Sequence, residues 1–192
     1  MTPDDSETSM QQERVSAAAA PAAPTRKPRR RWLVELAVFV LALIAIQWWQ
    51  SWNVPDGPAP AIEAPFADGR HGSLAEWRGA YPGQPVAVYF WADWCSICKA
   101  QQRSVESLRA DWPVLTVAMQ SGDAPAVAKV LRERGLDWPT AIDADGRITS
   151  GYGLRGVPAI VVIDGEGRVR SVSVGFTTEL GMRLRLWWAG LA

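Results

Sequence analysis

Residues 32–49 read WLVELAVFVLALIAIQWW, and this run constrains the chain more than any other feature. Eighteen helical residues extend about 27 Å at 1.5 Å each, close to the ~30 Å hydrocarbon core of a bilayer. Its one charge, Glu35, lies near the basic end, where the interface can hydrate it. Trp48, Trp49 and Trp52 supply an aromatic belt at the other end. The apolarity runs all around the helix, which argues against a one-faced helix of a soluble core. Arg14, Arg26, Lys27, Arg29, Arg30 and Arg31 precede the run, whereas Asp56, Glu63 and Asp68 come before the next base, Arg70. By the positive-inside rule the N-terminus is cytoplasmic and the rest lies outside. A cleaved signal peptide fits less well. It wants a shorter basic region and small residues where this chain has tryptophans, and the proline in Ala59-Pro60-Ala61 makes a weak cleavage site.

The remaining length suits one domain. Residues 1–31, rich in Ala, Pro, Ser and charge, predict a disordered cytoplasmic tail. Residues 32–50 are the expected transmembrane anchor, 51–65 a Pro-rich linker, and 66–192 the single folded domain. Twenty Lys and Arg balance twenty Asp and Glu, so charge gives no sign of a nucleic-acid partner. In the domain, VAVYFW (86–91) reads as a central strand, Cys95 to about Ala110 as a helix, and PVLTVAM (113–119) as a second strand. A helix follows over 124–134 with Val127, Val130 and Leu131 on one face. AIVVID (159–164) and RVRSVSVG (168–175) form a hairpin through Gly165-Glu166-Gly167. The last helix runs from about Thr178 to Ala189, with Leu180, Leu184, Trp187 and Trp188 at the spacing of a buried stripe. This order implies an α/β fold: a mixed sheet with helices on both faces.

The chemistry lies in WADWCSICK (91–99), which leaves a buried strand and opens a helix. Cysteines at i and i+3 of a first turn face one side, with Cα atoms roughly 5–6 Å apart, the range a disulfide needs. Cys95 would sit at the helix N-terminus, where unpaired N–H groups and the dipole stabilise a thiolate. That makes Cys95 the nucleophile and Cys98, deeper in the helix, the resolving thiol. Two other readings are weaker. A permanent staple across so small a loop would contribute only about 2 kcal/mol. A closed zinc site wants four ligands, and the two cysteines with the one histidine, His71, supply at most three. Haem attachment needs histidine where Lys99 stands. His71 reads as an exposed loop residue. Lys99 reads as a solvated helix residue, with a thiolate-stabilising role as the alternative. Trp94 suits either an apolar docking surface or scaffold packing. No metal or cofactor is expected.

FWADWCSICK resembles the active site of the thioredoxin fold, and GYGLRGVPAIVVID (151–164) resembles its second signature. The resemblance implies a cis-proline at Pro158, preceded by Val157, in a loop that lies against the disulfide and pairs with substrate by its backbone. Trp94, Val157 and Pro158 would then form the substrate-binding surface. Over about residues 62–190 the chain is most similar to membrane-tethered bacterial proteins of the TlpA type. GFTTELGMRLRLWWAG (175–190) and VAMQSGDAPAVAKVL (117–131) are similar to copper-sensitivity suppressors among them, implying a link to copper tolerance. The family implies a thioredoxin-like domain in the periplasm, held by a single pass of the inner membrane. There it would exchange the Cys95–Cys98 pair with protein thiols and disulfides, together with a membrane electron donor or acceptor. Three positions depart from the pattern. Tyr89 stands where many thioredoxins bury an aspartate that handles the proton of the second cysteine, and with a reference pKa of about 10 it is no base near neutral pH. Ser96 replaces a common proline, and Ala159 a common threonine. With no charged group between the cysteines the pair leans towards a reductant. The rival reading is a non-catalytic copper-binding or cytochrome/oxidase assembly module on the same fold. Such relatives usually have wider cysteine spacing and a downstream histidine.

Overall fold

The computed structural model describes residues 32–42 and 57–191. The chain divides into two units, Met1–Leu41 and Ala42–Ala192. In the first, the described residues are helical and exposed. Among the described residues no helix is long and apolar enough to cross a membrane. The expected tail 1–31, the span beyond residue 42 and linker residues 51–56 lie outside the described residues.

The second unit is built around the six-residue strand predicted at 86–91. In chain order its strands are β1 (Glu63–Pro65), β2 (His71–Ser73), β3 (Val86–Trp91), β4 (Val114–Met119), β5 (Thr140–Asp143), β6 (Ala159–Ile163) and β7 (Val169–Val174). The helices are α1 (Leu74–Arg78), α2 (Ser96–Arg109), α3 (Ala124–Glu133), α4 (Arg147–Gly151) and α5 (Glu179–Ala189). The main sheet has the order β5-β4-β3-β6-β7. β3 runs parallel to β4 and antiparallel to β6, and β7 returns antiparallel beside β6. The expected mixed sheet is present.

Side chains alternate across a strand, so the buried β3 feeds two cores. Ala87, Tyr89 and Trp91 pack beneath α2, α3 and α5, with Val105, Leu108, Val127, Met182 and Leu186. Val86, Val88 and Phe90 face the other core, with Ile62, Phe66, Leu74 and Tyr152. That second layer, made by β1, β2, α1 and α4, has no counterpart in the sequence pattern. Its pieces span only three to five residues each, too short for a periodic signal. β5 carries no periodic signal either, being four residues directly after Pro139. Residues 57–65, inside the expected linker, already belong to the packed unit. Val169 N–H donates to Gly57 O and Ala59 N–H to Gly167 O, both at 2.8 Å, and Ile62 is buried.

The terminal helix corrects the sequence reading. Leu180, Leu184, Trp187 and Trp188, expected as its buried stripe, are 54–70% exposed, and α5 buries Met182, Leu186 and Ala189 instead. Both sets have helical spacing, so periodicity alone could not choose between them. Polar contacts with α2 fix the helix's rotation. Ser107 Oγ donates to Glu179 at 2.7 Å, and Arg183 reaches Asp111 at 2.6 Å and Ser107 O at 3.0 Å.

Candidate active site

β3 ends at Trp91, and four residues later Cys95 caps α2. Its backbone is extended (φ −84°, ψ 107°) and its Sγ accepts the N–H of Cys98 at 3.0 Å. Cys95 and Cys98 form a disulfide with Cα atoms 5.2 Å apart, inside the separation expected from the spacing. Both residues are buried, at 6% and 3% exposure, yet Trp94 and Ile97 beside them are more than half exposed. The disulfide therefore lies just under an apolar surface.

The cis peptide expected at Val157–Pro158 is present. The Val157 carbonyl oxygen lies 3.8 Å from Cys95 Sγ, and Pro158 is buried. β6 starts directly after this loop, and the Phe90↔Ala159 pairing with β3 holds the two halves of the site together. Thus Trp94, Cys95, Cys98, Val157 and Pro158 are brought to one end of the sheet. His71 is exposed in β2, in the layer on the other face. Lys99 is exposed.

Several residues that hold the site had no local signal. Trp94 Nε1 donates to Gln120 O at 3.1 Å, and Asp93 N–H donates to Ser121 Oγ at 3.0 Å. Arg134 donates to Asp93 O at 3.0 Å, while its guanidinium lies 5.6 Å from the Trp91 ring centroid. Gln120 adopts a left-handed backbone (φ 46°), uncommon outside glycine, at the turn that receives Trp94. Gln101, buried one turn after Cys98, accepts the N–H of Thr177 at 3.2 Å. It ties the cysteine helix to the segment leading into α5. These partners lie 26–76 residues apart, so only the fold reveals them.

Tyr89 lies in the same core as both cysteines. Its ring meets Trp138 edge-on at 5.9 Å, and its buried hydroxyl has no hydrogen-bond partner among the described residues. Burial pushes its pKa further above that of ordinary tyrosine, so it stays protonated, as its place in the sequence implied.

With this geometry, the comparisons with known proteins are specific. A thioredoxin-like protein of Haemophilus influenzae is 28% identical over 107 residues, 55% of this chain and 64% of its own length. The chain thus spans just under two thirds of that relative. The thiol:disulfide interchange protein DsbE of Pseudomonas fluorescens is 27% identical over 161 residues, covering 80% of this chain and 90% of that one. Among solved structures, the pneumococcal exposed lipoprotein thioredoxin of Streptococcus pneumoniae superposes with a TM-score of 0.55 at 27% identity. The superposition covers 67% of this chain and 99% of that one. The relatives are thiol:disulfide oxidoreductases on a thioredoxin-like fold. The Redoxin family pattern matches residues 55–182, well over half of the chain and the whole of the cysteine and cis-proline site, so the protein belongs to the Redoxin family.

Proposed function

We propose that the protein is an extracytoplasmic, membrane-anchored protein disulfide oxidoreductase that works mainly as a reductant. The observation that carries the oxidoreductase part of this reading is the position of Cys95 Sγ: at the N-cap of α2, accepting a backbone N–H, and facing the Val157 carbonyl under an exposed apolar rim. Helix N-terminal N–H groups favour the thiolate, the attacking species. In the reduced protein Cys95 attacks one sulfur of a substrate disulfide. A Cys95–substrate bond forms, the substrate S–S bond breaks, and the other substrate sulfur leaves as thiolate. Cys98 then attacks Cys95 Sγ, releasing the second substrate thiolate and closing Cys95–Cys98. Two electrons pass to the substrate, and a membrane dithiol donor returns them.

Val157 and Pro158 would hold the substrate backbone beside the disulfide, with Trp94 as apolar contact. Residues 32–50 would anchor the domain from a cytoplasmic N-terminus, a reading supported by the basic cluster, the length of the apolar run and its aromatic end. The periplasmic face of a bacterial inner membrane is the setting, and copper tolerance is the physiological context that the similar segments suggest. A Cys98→Ala variant cannot resolve its mixed disulfide, so it should retain protein substrates on non-reducing gels, releasable by dithiothreitol. The Cys95→Ala variant should retain none. A Cys98→Ala protein that captures nothing while Cys95 still alkylates would defeat the proposal, and tight stoichiometric Cu(I) binding in its place would point to a copper module.

A further inference from the structure

The exposed side of α5 has an apolar stripe that no other part of the described fold covers. Leu184, Trp187, Trp188 and Leu191 are each more than half exposed. The i, i+3, i+4 spacing of the first three sets them on one face of α5, and Leu191 follows just beyond the helix end. A shallow groove beside them is lined by Arg170, Ser171, Gly181, Leu184, Arg185 and Trp188. The edge strand β7 thus contributes Arg170 and Ser171 to a groove that Trp188 also lines. Arg168 and Arg170 are exposed, and Arg170 is also paired with Asp164. Glu166 is the exposed acid at the nearby turn.

This groove lies where the N-terminal part of the chain joins the domain. Pro58 bridges Arg168, and Val169 N–H bonds Gly57 O. From Gln50, the last residue of the proposed anchor, to Gly57 there are seven residue steps, which reach at most about 25 Å at 3.3–3.6 Å each. With that anchor in the bilayer, Gly57 would lie within about 25 Å of its surface. The disulfide lies at the opposite end of the sheet. The register runs Phe90–Ala159–Val174 near the cysteines and Val86–Ile163–Val169 near Gly57.

We infer that the α5 stripe is a membrane-contacting face. Leu184, Trp187, Trp188 and Leu191 enter the boundary between headgroups and acyl chains of an anionic bilayer, and Arg168, Arg170 and Arg185 meet the headgroup phosphates. The inference rests on reading residues 32–50 as an anchor. Leucine and tryptophan on one face with basic flanks is the composition of helices that lie in the interface, and anionic lipid adds electrostatic attraction. These residues belong to the end of α5 that packs by Pro85, away from Cys95, whereas the segment before α5 is tied to the cysteine helix, so the Cys95 end stays in the aqueous phase, where protein substrates arrive.

The test uses the full chain with Cys95→Ser and Cys98→Ser, in vesicles of phosphatidylethanolamine and phosphatidylglycerol. A single spin label is carried at Leu184→Cys or, beside the disulfide, at Ile97→Cys. Power saturation should show the label at 184 exposed to oxygen and shielded from a water-soluble nickel chelate, with the reverse at 97. The anchor is read separately by extraction with alkaline carbonate. Protein that resists carbonate but has a water-exposed label at 184 overturns the inference and leaves the anchor standing. Protein that carbonate removes, yet whose label at 184 is immersed beforehand, supports the face and overturns the anchor. Dipolar broadening between labels at 184 would show a second copy covering the stripe, and would also overturn it.

Discussion

Tyr89 buries a phenol in the core that holds the redox pair, and its hydroxyl has no partner among the described residues. A buried unpaired hydroxyl costs about 1–3 kcal/mol of desolvation, so its removal should not destabilise the fold. Tyr89→Phe is expected to leave the urea midpoint equal or higher, with the rate of disulfide exchange unchanged. A large loss of the resolving step alone would instead give the phenol a part in the chemistry. The two cysteines, the cis-proline and the tyrosine in place of an aspartate at position 89 were all legible in the sequence, because each is carried by a local motif. The clamp on the Trp94 turn was not. Gln120, Ser121 and Arg134 become neighbours of the site only when β4 and α3 pack beside β3. Arg134→Ala should therefore slow exchange and raise the mobility of the Trp94 turn in hydrogen exchange, because Asp93 O loses its charged donor. An unchanged rate would make the arginine a packing residue alone.

Among the elements, the long periodic ones were legible and the short ones were not. β3, β4, α2, α3 and the β6–β7 hairpin follow apolar runs or helical spacing, whereas β1, β2, β5, α1 and α4 carry too few residues for a period. For α5 the element was legible but its buried side was not, since two apolar stripes share one helix. The corrected assignment is testable. Leu186→Ala should cost about 2–5 kcal/mol, as large-to-small core changes do, while Leu184→Ser should stay within about 0.5 kcal/mol in detergent. Equal losses would return Leu184 to the core. The hairpin depends on Asp164. Burial alone would raise its pKa. The N–H groups of Arg168 and Glu166 and the Arg170 guanidinium at 2.5 Å outweigh that and hold the carboxyl below the usual range. A lowered folded pKa means stability that is complete above the unfolded value, about 3.9, and lost as pH falls through the folded one. Asp164→Asn should destabilise by about 1–3 kcal/mol at neutral pH and flatten the acid limb of the stability curve. A parallel shift at all pH values would remove Asp164 from the acid response. Gly165 in the same turn is required for a different reason, because a Cβ there would strike the backbone of Gly83.

At the scale of the whole molecule, β3 and β6 set the redox pair at one end of the sheet, and the chain from the N-terminal side joins at the other. Two proposals meet in the redox pair: that Cys95 is the activated thiol, and that it faces the outside of the cell. Because the chain has only two cysteines, one measurement reads both. Spheroplasts carrying the full-length protein are reduced and then treated across a pH series with a limiting dose of a membrane-impermeant alkylating agent, and the modified cysteine is mapped by mass spectrometry. Modification of Cys95 in intact spheroplasts is expected, with Cys98 spared and an apparent pKa below the ~8.5 of a free thiol. Modification of Cys98 first, an apparent pKa at or above that value, or labelling that begins only after lysis would contradict the proposals.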